Sequence, residues 1–216
     1  MSAPLLEAQT TGTLAGLPAG HFIDGRFVAS ASGATMETLD PGTGCAFARF
    51  AAGDADDVDA AVAAARRALV GPWARIAPAE RGRLLRRVGE LITANAERLA
   101  VVESLDSGKR ISEARGDVAG AARTFEFYAG ACDKIHGETL PYLAGYTVLT
   151  LREPHGVTGH IVPWNYPMQI VGRSVGAALA MGNACVLKPA EEACLSALAL
   201  PMASAAPTLR PMICIG

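Results

Sequence analysis

The amino-acid sequence predicts an α/β fold, with an N-terminal hairpin and helices packed on a parallel sheet. Three features point there. Short apolar runs at residues 156–162 and 184–187 are bounded by glycine and proline, as strands are. Between them Met168, Val171, Val175, Ala178 and Leu179 recur at helical spacing. Upstream lie two antiparallel turn signals and then long stretches of helical periodicity.

The strand–helix–strand unit is the part to which the rest relates. Pro163 ends the first strand, because proline cannot donate to a ladder. Pro167 suits a first helical turn, where a missing N–H costs nothing. Gly182-Asn183 stops the helix, and Lys188-Pro189 closes the second strand. Strands joined in this way run parallel. Their C-terminal ends then share one sheet edge, where open α/β sheets bind ligands. Pro163-Trp164-Asn165 and Lys188-Pro189-Ala190-Glu191 converge on that edge. An amide, a cation, a carboxylate and an indole wall should surround one crevice.

The remaining elements follow in order. Asp24-Gly25 between apolar runs at residues 22–28 signals a type I′ hairpin, whose turn needs positive φ at both central residues. Residues 40–44 form a second turn cluster joining strands at 36–39 and 45–50. Together these are expected to make one small antiparallel sheet. Three helices should follow. Asp54 caps the first, with Val58, Ala61, Val62, Ala65 and Leu69 inward, and Gly71-Pro72 breaks it. The second runs from Pro78 to Gly108, and the third covers residues 111–132 with Ala114, Val118, Ala121, Phe125 and Ala129 inward. Residues 146–151 read as an exposed strand that pairs either within its own chain or outside it. After Leu198 three prolines fall in eleven residues, and no helix is expected to continue through them.

Composition excludes several function classes. The chain has 216 residues, half of them hydrophobic, with net charge −2. That charge makes no case for nucleic acid or an anionic membrane. No apolar run approaches the ~20 residues of a membrane span. Residues 1–20 lack the pattern of a signal peptide and read as a flexible lead-in, so the cytoplasm is the expected location. Cys45, Cys132, Cys185, Cys194 and Cys214 form no C-x-x-C pair, and the four histidines show no ligand spacing, so no metal site is expected. His160 is expected to be a hydrogen-bonded core histidine. The arginine-rich face of the second helix reads as a solvated surface.

Pro163-Trp164-Asn165-Tyr166-Pro167 and the segment Gly182 to Glu191, G-N-x-x-x-x-K-P-x-E, resemble two motifs of the aldehyde dehydrogenase superfamily. The resemblance runs from about Phe22 to about Leu198. It implies a partial NAD-binding domain of Rossmann-like type at residues 21–198, with residues 140–155 projecting as an oligomerisation strand region. Residues 199–216 are a divergent tail, and the catalytic domain is absent. The change after Leu198 suggests a shifted reading frame or an early end near Ala197.

The resemblance also implies a chemistry. A cysteine thiolate attacks the aldehyde, hydride passes to NAD, and a glutamate-activated water releases the carboxylate. Asn165 is implied as the donor to the oxyanion; from spacing alone it could equally cap the helix that starts at Pro167. Lys188 and Glu191 are implied to clamp the cofactor ribose, since one donates and the other accepts. Ile161, Val162, Pro163 and Trp164 are implied to touch it through backbone and ring. Glu191 would repel a 2′-phosphate, which favours NAD over NADP. None of the five cysteines stands where the family nucleophile would. The implied partners are a small-molecule aldehyde and further copies of the parent enzyme. The expected function is therefore aldehyde oxidation by the parent, with this chain an inactive fragment. The rival is a non-catalytic nucleotide-binding or interaction fragment, or a misfolded remnant.

Overall fold

The computed structural model describes residues 16–203 and 212–216. Most of the expected lead-in and residues 204–211 lie outside them. Among the described residues, Leu17 packs on the core and Pro18 is buried, so the end of the lead-in is part of the fold.

Strands β1 (His21–Ile23) and β2 (Arg26–Val28) form the expected hairpin. Its turn holds Asp24 at φ 53° and Gly25 at φ 78°, as a type I′ turn requires. Strands β3 (Thr35–Leu39) and β4 (Ala46–Ala51) pair antiparallel across the Asp40 turn, where the carboxylate accepts from the Gly42 N–H. The two hairpins do not form one sheet. Phe22 of β1 instead pairs with Cys214, which carries the first hairpin to the edge of the main sheet. The second hairpin stands apart as its own ribbon.

Helix α1 (Ala55–Val70) begins at a full capping box, Asp54 with Asp57. Its buried face is Asp57, Ala61, Ala64 and Ala65, whereas Val58 is 43% exposed. The expected stripe is rotated by about one residue. Asp57 causes this, since its carboxylate turns inward to accept from Ser30 Oγ and the Ala31 N–H, both at 2.9 Å. After the short α2 (Pro72–Arg75) come α3 (Pro78–Ala94) and α4 (Ala96–Ser107). The single long helix expected here is divided at Asn95, whose side-chain amide reaches back to the Leu91 carbonyl. Gly108, at φ 71°, ends α4 in the left-handed conformation. Helix α5 (Ile111–Ala131) packs closely on α3. Strands β5 (Thr139–Leu140) and β6 (Val148–Leu149) then pair with each other, so this region finds its partner within the chain.

Strand β7 (Val157–Val162), helix α6 (Pro167–Ala180) and strand β8 (Ala184–Pro189) make the predicted unit, with β7 and β8 parallel. Helix α7 (Leu195–Ala203) follows, and β9 (Met212–Cys214) lies parallel to β8. Among the described residues the main sheet is ordered β2-β1-β9-β8-β7. The helix expected to stop after Leu198 continues through Pro201 to Ala203; Pro207 and Pro211 lie outside the described residues. A proline inside a helix costs about 3 kcal/mol. Leu195, Leu198 and Leu200 are all 0% exposed, and burying each side chain contributes about 1.5–3 kcal/mol. Burial outweighs the lost hydrogen bond.

The sheet carries a core on each face. Cys185 and Leu187 of β8 meet the larger cluster, formed with α3 to α7. Ala184 and Val186 meet the smaller one against α1. Residues Cys214 and Ile213 of β9 divide in the same way. Among the described residues no helix is long and apolar enough to cross a membrane.

Two expected outcomes test this packing. A Cβ at Gly82 would lie 2.6 Å from the Ala129 carbonyl oxygen, whereas one at Gly116 meets nothing within 4 Å. Alanine gains about 1 kcal/mol of helix propensity over glycine. Gly116→Ala should therefore raise the melting temperature, while Gly82→Ala should lower it because α3 must move off α5. The second concerns Asp106, which accepts from Thr38 Oγ1 and from the Leu195 N–H, each at 2.7 Å. Burial raises its pKa to about 7, against about 4 in an unfolded chain. The folded state holds this proton more tightly, so stability is fullest below about pH 4 and falls as pH rises toward about 7. Urea melts across that window should show Asp106→Asn gaining on the wild type as pH rises.

Candidate functional site

Strands β7 and β8 end in register, Ile161 beside Lys188 and Val162 beside Pro189. The loops that follow therefore leave the same edge. Lys188 Nζ sits 2.6 Å from Glu191 Oε1 and also donates to the Pro189 carbonyl at 2.9 Å. The hydrogen bond from Lys188 holds the Glu191 carboxyl below the usual carboxylate range, so it is ionised near neutral pH. Both side chains remain well exposed, at 38% and 50%. An exposed pair of this kind contributes about 0–1 kcal/mol to folding.

A cleft of about 600 Å³ opens beside the pair. It is lined by Trp164 and Glu191, by residues 36–41 of the β3–β4 ribbon, and by Asp106. Sequence reasoning missed the ribbon wall. Of the predicted contacts, Trp164 is 57% exposed and free to stack, while Pro163 and Ile161 are exposed at the open edge of β7. Val162 is 1% exposed, with its side chain in the core, so only its backbone can face a ligand.

Asn165 follows the cleft-lining Trp164 in the chain and is exposed. It does not cap α6. The N-cap is Tyr166, which makes no side-chain cap hydrogen bond, and the Asn165 carboxamide has no hydrogen-bond partner among the described residues. The Met168 N–H of the first turn is instead taken by Glu103 Oε2, at 3.3 Å, from α4. The other oxygen of Glu103 accepts from Lys109 Nζ at 2.8 Å. Lys109 also donates to Asp117 Oδ2 at 2.6 Å and to the Asn165 carbonyl at 3.0 Å, with the Tyr166 ring 4.8 Å away. Asp117 Oδ1 in turn accepts from Gln169 Nε2 at 2.6 Å. Burial pulls the Lys109 pKa down, but its bonds to Asp117 and Glu103 outweigh it and leave the pKa raised. Burial raises the Glu103 pKa, and Lys109 offsets only part of that.

Cys132, Cys185, Cys194 and Cys214 are buried, and burial raises every one of their pKa values, that of Cys185 to about 12. Cys45 is exposed on the ribbon. His160 is half-buried and bonds to Thr158 Oγ1 at 2.9 Å. Among the described residues no three histidine, cysteine or acidic side chains are grouped to hold a metal.

A sequence model described as the aldehyde dehydrogenase family matches residues 27–207. The chain belongs to that family. An aldehyde dehydrogenase from Aspergillus niger is 44% identical over 84% of this chain and 36% of its own length. A hydroxyisobutyraldehyde dehydrogenase from Mycolicibacterium austroafricanum is 46% identical over 82% of this chain and 35% of its own. The structure of PnpE from Pseudomonas sp. WBC-3, solved with nicotinamide adenine dinucleotide, superposes with a TM-score of 0.88 at 38% identity, covering 92% of this chain and 41% of that one. The chain thus spans little more than a third of the curated relatives it matches. The matched region reaches past Leu198, consistent with α7 continuing beyond that point.

The exposure of the Lys188–Glu191 pair predicts that it adds little to folding. Lys188→Ala should change the unfolding free energy by less than about 1 kcal/mol, measured by urea denaturation.

Proposed function

We propose that this chain is the cofactor-binding segment of an enzyme that oxidises an aldehyde to a carboxylate with NAD, through a thiohemiacetal on a cysteine. The Lys188–Glu191 pair carries the proposal. It places a donor and an ionised acceptor 2.6 Å apart at the shared C-terminal edge of parallel strands. A vicinal diol of a ribose fits that combination, because each hydroxyl both donates and accepts. Ionised Glu191 repels a 2′-phosphate, so NAD is preferred to NADP. Trp164 and the backbone of Ile161, Val162 and Pro163 supply the adjoining surface. NAD, when bound, supplies the hydride acceptor.

Asn165 is the residue of this segment that acts on the reacting carbonyl. When a thiolate adds to an aldehyde, the π electron pair moves to oxygen, and an amide N–H aimed there stabilises the charge that forms. Its exposed carboxamide, unengaged by the described residues, suits that use. In this reading the thiolate and the base that activates water come from a separate catalytic segment: four of the five thiols are buried, and the exposed Cys45 stands just before β4, away from Asn165 in the chain. A nucleotide-binding module without turnover is the second reading, and the same thiols favour it for the isolated chain. Leu140, Tyr142, Leu143, Tyr146, Leu149 and Leu151 are exposed around the β5–β6 hairpin and suit contact with a second copy in the parent enzyme.

Calorimetric titration tests the cofactor site. NAD should bind more tightly than NADP. Lys188→Ala should weaken NAD by about tenfold, the loss of one good hydrogen bond. Glu191→Gln should narrow the preference over NADP. Equal affinity for both dinucleotides in the wild type, unchanged by either substitution, would sink the clamp. Incubated with NAD and aldehydes, the isolated chain should form no NADH above a protein-free control. Turnover removed by replacing one of the five cysteines would place the nucleophile here after all.

A further inference from the structure

We propose that Glu103, Lys109 and Asp117 form a positioning cluster that caps α6 in place of Asn165 and so leaves the Asn165 carboxamide free for the substrate. The idea rests on Asn165 as the oxyanion donor, but it makes a structural claim that can fail separately.

Asn165 stands one residue before the N-cap Tyr166, and Pro167 has no N–H, so the Met168 N–H is the first-turn donor for which its side chain competes. Bound that way, it could not reach a substrate. Here Glu103 accepts the Met168 N–H from outside the helix. That bond is to a carboxylate, which stabilises the positive end of the helix better than a neutral amide. The competing use of Asn165 is thereby removed.

Lys109 holds the other side of the turn. Its ammonium group has three protons, and three acceptors are in place: Glu103, Asp117 and the Asn165 main-chain carbonyl. The carbonyl is fixed while the side chain of the same residue is left alone. Asp117 completes the grip by holding Gln169 in the first turn of α6. The turn from Asn165 to Gln169 is thus bound at three points by groups that lie on α4, on α5 or between them. The side chains of Glu103, Asp117 and Lys109 are 0%, 7% and 11% exposed, so solvent weakens these contacts little. Glu103 uses both oxygens as acceptors. Glutamine has only one, and its NH2 cannot face the Lys109 ammonium, so in Glu103→Gln the oxygen turns to Lys109 and the Met168 N–H loses its acceptor.

Amide hydrogen exchange by NMR on the full chain tests the proposal, with the Leu187 N–H of central strand β8 reporting global opening. Glu103→Gln and Lys109→Met should each speed exchange at Met168 by at least about tenfold, as loss of a charged hydrogen bond predicts, and leave Leu187 unchanged. Asn165→Ala should leave Met168 within about twofold of the wild type. In the wild type the Asn165 carboxamide protons should exchange at the rate of a free amide. Faster Met168 exchange in Asn165→Ala, or protection of the wild-type Asn165 carboxamide, would show that Asn165 is the cap and overturn the proposal. So would unchanged Met168 exchange in Glu103→Gln and Lys109→Met. If those two variants lose the fold, Asn165→Ala and the wild-type carboxamide still decide. Dinucleotide affinity does not enter these readings, so a failure of the cofactor proposal would be seen separately.

Discussion

Strand β8 needs cover on both faces and a neighbour on both edges, and the rest of the fold answers that need. Residues Ala184 to Leu187 are apolar without alternation, the pattern of a strand that meets no water. The helical layer covers Cys185 and Leu187, α1 covers Ala184 and Val186, and β7 and β9 take the edges. Trp73 adds a lock at its start, donating from Nε1 toward the Gly182 and Asn183 carbonyls at 3.1 Å each. With β8 held this firmly, Lys188 at its end has a fixed origin although its own side chain is half in solvent.

The parts that were legible in the sequence are those governed by local rules. The Asp24-Gly25 turn, the Asp54 cap and the β7–α6–β8 unit depend on neighbours a few residues apart, and glycine and proline mark their limits. Strand β9 was missed because three residues are too few to show a period, and prolines just before it argued the other way. The ribbon wall of the cleft was missed because nothing local says that β3 will line the same cleft as Glu191. The buried charges did leave a signal. Asp117 stands three residues after Ala114 and four before Ala121, both 0% exposed, and Glu103 stands four after Leu99. An acid at a core position demands a partner. Lys109, next to the helix-ending glycine, was the cation at hand.

Two kinds of charge pairing coexist here, and their surroundings separate their uses. The Glu103–Lys109–Asp117 group is dry, so its geometry is costly to change and suits holding a turn in place. The Lys188–Glu191 pair is wet and adds little to folding, so its members can exchange partners at small cost. A ligand hydroxyl that entered between them would displace only a weak contact. The buried set holds the turn that begins α6, and the exchangeable set faces the solvent.

The meeting of β1 with β9 sets an order on the birth of the molecule. The Gly216 N–H donates to His21 Nδ1 across 195 residues of chain, and the Gly53 N–H donates to the Gly216 carbonyl. At about 5–20 residues per second, a ribosome delivers the second partner roughly 10–40 s after the first. Throughout that interval the first hairpin has a turn but no sheet to join, and Phe22, 0% exposed in the finished fold, has no Cys214 beside it. The main sheet gains its β1–β9 contact only once residues 212–216 have been made, and a nascent chain must keep Phe22 shielded until then.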